Sequence, residues 1–301
     1  MSRPGPADGP IGFVVVDKPS GWTSHDVVAK CRGILGTRKV GHCGTLDPMA
    51  TGVLVLGVGR ATKLLAFLSG LPKTYHATIR FGVETDSLDA DGAVTVTHDM
   101  AAPPLERVRA AARSLTGDLL QVPPMVSAKK VDGVRLHELA RKGEVVPRAA
   151  VPIHVSRFDV EPTEDPTVFT ATVQCSTGTY VRVLAADLGH ALGGGAHLTG
   201  LRRSAVGPFR IDEAATLEQL QQDGGSFVMP ATSITRLMTS VEIDAPTALD
   251  VSHGKVLDRS RLGLVDDDAG PWALIGGSDG ALLAVYAAHR GDTVKPSFVM
   301  I

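Results

Sequence analysis

"RKVGHCGTLDPMATGVLVLGVGRATKLL", residues 38–65, is the stretch on which the interpretation of this chain depends. It combines His42 and Thr45 with an Asp47–Pro48 pair, and glycines punctuate the apolar run that follows. Three interpretations fit such a stretch: a nucleotide-binding loop, a tight structural turn, or a site whose chemistry depends on one carboxylate.

The nucleotide-binding interpretation is the weakest of the three. A P-loop needs a Gly, four spacer residues and then Gly-Lys-Ser/Thr, and residues 38–65 contain no such pattern. "GVGRAT" (57–62) has two glycines after an apolar strand but lacks the third glycine of a dinucleotide fingerprint. A structural turn agrees with Asp47–Pro48 and with Gly41 and Gly44. A turn alone, however, does not require His42 and Asp47 beside so many basic residues.

The composition is that of an ordinary globular protein. The 301 residues are 44% hydrophobic and 21% charged, which argues against disorder. A net charge of -2 argues mildly against a nucleic-acid binder. Basic pairs such as Arg38–Lys39, Lys129–Lys130 and Arg202–Arg203 nevertheless allow one basic face on a neutral protein.

Cysteine and histidine usage predicts neither disulfides nor a metal site. Cys31, Cys43 and Cys175 form no CxxC pair, and the closest two of the ten histidines are seven residues apart. No apolar run approaches the length of a membrane span. We therefore expect a cytoplasmic protein with no bound metal and no membrane association.

The hydrophobic patterning predicts an α+β fold. Period-two or continuous apolar runs at 12–17, 52–58 and 74–82 indicate strands, while residues 25–35, with Ser24 as N-cap, and 180–195 have helical spacing. Strands in adjacent hairpins favour a mixed, largely antiparallel sheet flanked by helices. A hairpin turning at Asp132–Gly133 and one or two helical turns over 136–143 are also predicted.

The chain divides into three parts. Residues 1–11 are small, polar and rich in Pro and Gly, which predicts a flexible tail. Residues 12–235 form the main domain. After about residue 230 short strands alternate with Gly/Asp turns, so that 240–301 is predicted to be a small β domain.

Five blocks of the sequence resemble one known family. "GHCGTLDPMATGVL" (41–54) resembles the GHxGTLDPxATG signature of the bacterial tRNA pseudouridine synthase B family. "VVVDKPSGWTSHDVV" (14–28) resembles the N-terminal motif of that family, and its later motifs resemble stretches at 73–92, 122–143 and 175–207. The resemblance extends, in order and spacing, over roughly residues 12–215.

The resemblance implies a fold, an activity and a partner. The fold is that of the pseudouridine synthases, followed by a PUA-like RNA-binding domain. The activity is conversion of uridine 55, in the T loop of tRNA, to pseudouridine. This isomerase breaks the C–N glycosidic bond, turns the base and rejoins it through carbon, and it uses no cofactor. A tRNA-folding function is left open, and nothing in the sequence demands more than a monomer.

The resemblance also assigns roles to individual residues. It makes Asp47 the catalytic carboxylate and Arg182 the cation that keeps Asp47 ionised. Tyr75 stacks on a flipped-out uracil and takes part in removal of the C5 proton, while Tyr180 and Leu201 line the same pocket.

Further residues are candidates for RNA contacts, His42 through the resemblance and four basic residues through their charge. His42 packs into the RNA near the position that the base leaves. Four basic residues are candidates for phosphate contacts: Lys63, Lys130, Arg141 and Arg202. Cys43 is interpreted as a packing residue, because Asp47 already fits the catalytic position.

Alternatives stay open at this point. Taken alone, Arg182 fits a surface helix arginine, and Tyr75 and Tyr180 fit core aromatics. Attack of Asp47 at C1′, attack at C6 of uracil, and proton removal at C2′ are three routes that the sequence does not separate. A non-catalytic RNA-folding factor would share the basic clusters and would not need Asp47 or Arg182.

Overall fold

Alternating apolar residues build most of this chain into strands. In the computed structural model, which describes residues 9–127, 130–131, 134–136, 144, 146–264, 268–276 and 280–300, β4 buries every second side chain. The strands are β1 Gly12–Lys18, β2 Val40–Cys43, β3 Thr51–Val58, β4 Lys73–Phe81, β5 Val83–Thr85, β6 Val94–Thr97, β7 Gly117–Gln121, β8 Lys130–Val131, β9 Val134–Arg135, β10 Val151–Pro162, β11 Val168–Cys175, β12 Ala196–Val206, β13 Phe209–Arg210, β14 Met229–Pro230, β15 Thr239–Ile243, β16 Leu257–Asp258, β17 Trp272–Gly276, β18 Ala281–Ala288 and β19 Thr293–Val299. The α-helices are α1 Ser24–Ile34, α2 Leu65–Leu68, α3 Leu105–Ser114, α4 Val181–Ala191, α5 Leu217–Asp223 and α6 Ala245–Ser252.

The main sheet is mixed and largely antiparallel, as predicted. Within the described residues it has ten strands in the order β14-β1-β3-β12-β4-β11-β10-β7, with β2 beside β3 and β13 beside β12. Among the described strands of this sheet, the one parallel pairing joins β3 to β12, where Arg203 lies opposite Gly52. This pairing brings the segment 38–65 against the segment 175–207.

Gly52 makes that parallel pairing possible. Its φ is +99°, and a Cβ at this position would lie 2.2 Å from the carbonyl oxygen of Arg203. Only glycine permits both the backbone conformation and the close approach of the two strands. Gly52 is therefore required for β3 and β12 to pack side by side.

The sheet is covered on both faces by apolar clusters. Val108 of α3 and Leu184 of α4 pack with Ile79 of β4 in one cluster. Val27 of α1 packs with Leu54 of β3 in another. Between these clusters, β3, β12 and β4 lie side by side at the centre of the sheet.

The predicted N-cap of α1 is wrong by one residue. Thr23 caps the helix: its hydroxyl accepts from the N–H of Asp26, and the Asp26 carboxylate accepts in return from the N–H of Thr23. The Ser24 hydroxyl instead bonds to the backbone of Leu46. The side chain of Ser24 therefore bonds to the loop that contains Asp47 and does not cap the helix.

The C-terminal residues form a second sheet. The described part has five strands in the order β15-β17-β18-β19-β16, and α6, which the sequence pattern did not predict, packs on it. Trp272 and Tyr286 are buried on one face. On the other face Val285 and Phe298 share a cluster with Phe13 of the main sheet.

Some predictions fall on positions outside the described residues. These are most of the tail, the Asp132–Gly133 turn and nearly all of the helical turns over 136–143. The strands on either side of that turn, β8 and β9, pair antiparallel as the predicted hairpin requires. No α-helix in the described part of the chain is long and apolar enough to cross a bilayer.

Candidate active site

Asp47 lies in the connection of a β-hairpin. Strands β2 and β3 pair antiparallel, from Val40 opposite Val58 to Cys43 opposite Val55, and residues 44–50 join them. The backbone turns at Asp47, whose carbonyl accepts from the N–H of Ala50 at 3.1 Å. We call residues 44–50 the Asp47 loop.

Three side chains from three different elements hold the Asp47 loop. Lys18 of β1 donates to the carbonyl of Pro48 at 3.1 Å. The Ser24 hydroxyl accepts from the N–H of Leu46 at 2.9 Å. Arg203 of β12 donates to the carbonyl of Gly44 at 3.0 Å. The loop is therefore fixed along its length by groups that the sequence places far apart.

Arg182 reaches Asp47 from the first turn of α4. Its Nε donates to Oδ2 of Asp47 at 3.0 Å, across 135 residues of chain. The Arg182 side chain is 2% exposed, whereas that of Asp47 is 35% exposed. The alternative that Arg182 is a surface arginine is therefore wrong. The Asp47 carboxylate contacts a buried cation on one side and is accessible to solvent on the other.

Asp89 is a second acidic partner of Arg182. Its Oδ2 lies 3.4 Å from Nη1 of Arg182, and the side chain is 6% exposed. The remaining donors of Arg182 reach the carbonyls of Ser87 at 2.6 Å and Val126 at 2.8 Å. A guanidinium with all its partners in place cannot swing away, so the geometry at Asp47 is rigid.

A cavity of about 240 Å³ opens beside Asp47. Its walls come from the Asp47 loop, β4, the start of α4 and β12, and the residues include Asp47, Tyr75, Tyr180, Arg182, Leu201 and Arg203. Five of these six were predicted from the sequence to share one pocket. The structure brings them together although they are separated by up to 156 positions, from Asp47 to Arg203.

Tyr75 and Tyr180 are held differently. Tyr75 is 7% exposed, and burial raises the pKa of its phenol, whereas the neighbouring Arg203 guanidinium acts in the opposite direction. Tyr180 is half-buried, and its backbone N–H and carbonyl both bond to the buried Gln121 amide, at 2.8 and 3.2 Å. Leu201, 8% exposed, adds an apolar surface between them.

Two buried lysines flank the site. Lys18 is fully buried, and burial lowers its pKa to about 8, although the nearby Asp47 works against this shift. Lys73, 5% exposed, also has its pKa lowered by burial, and it donates to the carbonyl of Leu71 at 2.8 Å. Both ammonium groups are solvated by backbone oxygen in place of water.

His42 is near the site but not in the wall of the cavity. It lies in β2, and its ring meets that of His25 edge to face, with 5.2 Å between the centroids. Burial lowers the pKa of His42, and His25 adds to the effect. Its Nδ1 is buried and has no hydrogen-bond partner in the described part of the chain. Cys43 is buried, in agreement with its predicted packing role.

The structure describes the side chains of two of the four predicted phosphate contacts, Lys63 and Arg202. Lys63 lies 6.0 Å from the ring centroid of Phe298, at the boundary with the second sheet. Arg202 forms an ion pair with Asp17 at 2.7 Å. The side chain of Lys130 and all of Arg141 lie outside the described residues.

Sequence reasoning missed four residues of the site. Lys18 and Ser24 lie in the block "VVVDKPSGWTSHDVV", Asp89 in "ETDSLDADG" and Arg203 in "GLRRS". Each lies inside a block that resembles the family, and this was the available signal. Residue type alone predicts an exposed lysine or arginine, so it did not indicate that these side chains would be buried.

Comparison with known proteins identifies the family. The model described as "TruB family pseudouridylate synthase (N terminal domain)" matches residues 32–181. The model described as "tRNA pseudouridylate synthase B C-terminal domain" matches residues 182–232. The second sheet, which begins at Thr239, lies beyond both.

Relatives and solved structures agree with these models. The chain is 46% identical over 299 residues to tRNA pseudouridine synthase B of Arthrobacter sp. (strain FB24), covering 96% of each. It is 47% identical to that of Streptomyces coelicolor over 292 residues, covering 94% of this chain and 95% of the relative. A chain in the crystal structure of a Cbf5-Nop10-Gar1 complex overlays with a TM-score of 0.73 and 25% identity, covering 97% of this chain and 85% of that one. The chain therefore belongs to the tRNA pseudouridine synthase B family.

Proposed function

We propose that this protein isomerises one uridine in the T loop of tRNA to pseudouridine and that Asp47 is its catalytic carboxylate. The family supports the isomerase activity and the tRNA substrate. The single observation that supports the role of Asp47 is its 3.0 Å contact with the buried Arg182 beside a partly closed cavity.

The reaction is balanced without any redox step. The N1–C1′ bond of the uridine breaks, a C5–C1′ bond forms, the C5 proton leaves to solvent and N1 gains a proton. A group is needed that stabilises or traps the electron-poor sugar or base, and an ionised carboxylate can do this. The Arg182 guanidinium lies 3.0 Å from Asp47 and places a counter-charge beside that carboxylate in a partly closed site.

The cavity fits an extruded base better than a whole nucleotide. Pockets for drug-sized ligands measure about 300–1,000 Å³, and this cavity is smaller, at about 240 Å³. Enzymes that act on a base within folded RNA take it out of the stack at a cost of a few kcal/mol. In our proposal Tyr75 stacks on the uracil, and Tyr180 and Leu201 enclose it.

The neighbourhood of Asp47 gives His42 a role outside the cavity. It lies five positions before Asp47, on the strand that leads into the Asp47 loop. From there it can fill the gap that the extruded base leaves in the RNA. Phosphate contacts by Lys63, Lys130, Arg141 and Arg202, RNA binding by the second sheet, and a monomeric state in the cytoplasm remain predictions from the sequence.

The test uses tRNA transcripts tritiated at C5 of uridine. Wild-type protein should release one equivalent of tritium per tRNA, and none when the T-loop uridine is replaced by cytidine. Asp47→Asn should abolish release while tRNA still binds. Asp118→Asn, a change on a side chain that is 94% exposed, is the matched control and should act like wild type.

Two outcomes would contradict the proposal. Release from a transcript without the T-loop uridine would assign the protein to another position. Full release by Asp47→Asn would remove the carboxylate from the mechanism. A tRNA-folding activity that survives in Asp47→Asn would show a second function beside the isomerase.

A further inference from the structure

Arg203 is a buried arginine in the wall of the cavity to which the family resemblance assigns no role. It lies in β12, directly opposite Tyr75 of β4, and its side chain has no exposed surface. It also lines the cavity together with Asp47. The Arg203 guanidinium therefore lies close to both Tyr75 and Asp47.

The Arg203 guanidinium joins the two ends of the Asp47 loop. Nη2 donates to the carbonyl of Gly44 at 3.0 Å, and Nη1 lies 3.4 Å from the carbonyl of Thr45, its acceptor. Nε donates to the carbonyl of Val53, in β3 just after the loop, at 2.7 Å. One rigid side chain thus fixes where the loop leaves β2 and where it enters β3.

The charge of Arg203 is not matched by an acid. Within the described residues, no carboxylate lies within 4.0 Å of the guanidinium, and its hydrogen bonds to the Asp47 loop and β3 all go to backbone carbonyls. A buried charge without a counter-charge is costly, and neutral donors could hold carbonyls without that cost. The cation is therefore best explained by a group that becomes negative beside it.

Tyr75 is the group that the geometry places there: it lies directly opposite Arg203 on the neighbouring strand, and both line the cavity. Burial raises the pKa of its phenol, and among the charges near it Arg203 is the one that lowers the pKa, both through its charge and through a side-chain hydrogen bond. Asp47 and Cys175 act in the same direction as burial. Without Arg203, the phenol would face only influences that oppose loss of its proton.

We propose that Arg203 is a positioning residue for the isomerisation: it fixes the Asp47 loop and, through the Tyr75 hydroxyl, supports removal of the C5 proton. In this step the Tyr75 phenol first loses its proton to solvent beside the Arg203 guanidinium. The phenolate oxygen then takes the proton from C5 of the rejoined base, and the C5–H electron pair restores the ring double bond. The proton then passes from Tyr75 to solvent. This inference rests on the proposed isomerase function.

The experiment compares Arg203→Lys and Arg203→Gln with wild type in single turnover. Lysine keeps the charge but cannot reach three acceptors, and glutamine keeps donors without the charge. Substrates are tRNA with hydrogen or deuterium at C5 of the T-loop uridine. Arg80→Lys, on the same strand as Tyr75 but 47% exposed, is the matched control.

Both variants should slow product formation by about 100-fold, at the lower end of what positioned proton transfer contributes. They should also show a larger deuterium isotope effect than wild type, because C5 proton removal becomes the slow step. A loss of correctly folded protein lowers the amplitude of the reaction and leaves the isotope effect unchanged. The dissociation constant for tRNA should stay within about threefold, as expected when ground-state binding is intact.

The outcomes separate this proposal from the function itself. If wild-type protein forms no pseudouridine, the proposed function fails. If wild type is active and the variants show the wild-type rate or the wild-type isotope effect, only the proposed role of Arg203 is overturned. Variants without the native circular dichroism spectrum would assign Arg203 to the fold and would also overturn the proposal.

Discussion

Arg182→Met should separate the stability of the site from its chemistry. The change removes a cation that contacts both Asp47 and Asp89, and it keeps an unbranched chain as far as the position of Nε. Asp47 is 35% exposed and can be hydrated once the arginine is gone. Asp89, with a 6% exposed side chain, cannot be hydrated in this way. The loss of stability on substitution therefore comes from the buried, unpaired Asp89 carboxylate.

The size of this cost follows from the contacts of Asp89. Removing one partner of a buried ion pair costs about 3–5 kcal/mol. Asp89 would retain the hydroxyl of Ser87 and the N–H of Asp91, the latter at 3.2 Å, so the lower end applies. We expect Arg182→Met to lower the free energy of unfolding by about 3 kcal/mol at pH 7.

The double variant Arg182→Met/Asp89→Asn provides the decisive comparison. A neutral amide has no uncompensated charge, so about 2 kcal/mol of stability should return. Activity should not return, because Asp47 still lacks its guanidinium, and a loss of about 100-fold or more is expected for a removed electrostatic partner. Urea unfolding measures the first quantity, and tritium release from C5 measures the second.

Two results would refute this reasoning. One is a double variant no more stable than Arg182→Met, which would mean that Asp89 is not the source of the cost. The other is a double variant that recovers activity along with stability, which would reduce Arg182 to a structural residue. Asp89→Asn alone is the control, since Arg182 then keeps Asp47 and both carbonyls.

The other predictions concern Lys18 and Gly52. Since burial lowers the pKa of Lys18 to about 8 from 10.5, the unfolded chain binds more protons between these values, and the free energy of unfolding should rise with pH there. Lys18→Met should flatten that rise in urea unfolding at pH 8 and pH 10, and an unchanged slope would contradict the assignment. Gly52→Ala should cost about 3 kcal/mol or more, since its Cβ would collide with Arg203. Gly21→Ala, at φ +82° in open space, should cost only about 1 kcal/mol, and equal losses by thermal unfolding would argue against the collision.

The strands were predictable because their pattern is local. β4 alternates buried and accessible residues over nine positions, and β3 is a continuous buried run, and both patterns are legible in the sequence. The N-cap of α1 was not, because Thr23 and Ser24 are both competent caps and the choice depends on Leu46, more than twenty residues away. Tertiary contact decided between two local alternatives.

The site was predictable only in part, for a similar reason. The family resemblance selected Asp47 and Arg182, whose contact spans 135 residues and has no local signature. It did not select Asp89 from the four acids of "ETDSLDADG", since only the fold brings one of them to Arg182. The burial of Lys18 and Arg203 could not be inferred either, because charged residues are usually exposed.

The way in which the buried cations are solvated links the fold to the chemistry. Lys18, Lys73 and Arg203 all donate to backbone carbonyls, and within the described residues none has a carboxylate within 4.0 Å. A carbonyl satisfies an N–H donor but carries only a partial charge, so it leaves most of the positive potential in place. Carboxylate partners would have cancelled that potential and drawn the donors of Lys18 and Arg203 away from the carbonyls of the Asp47 loop. The fold thus gives up stability at three positions, and in return the partly closed cavity beside Asp47 keeps a positive potential, in which a base that becomes negative can be held.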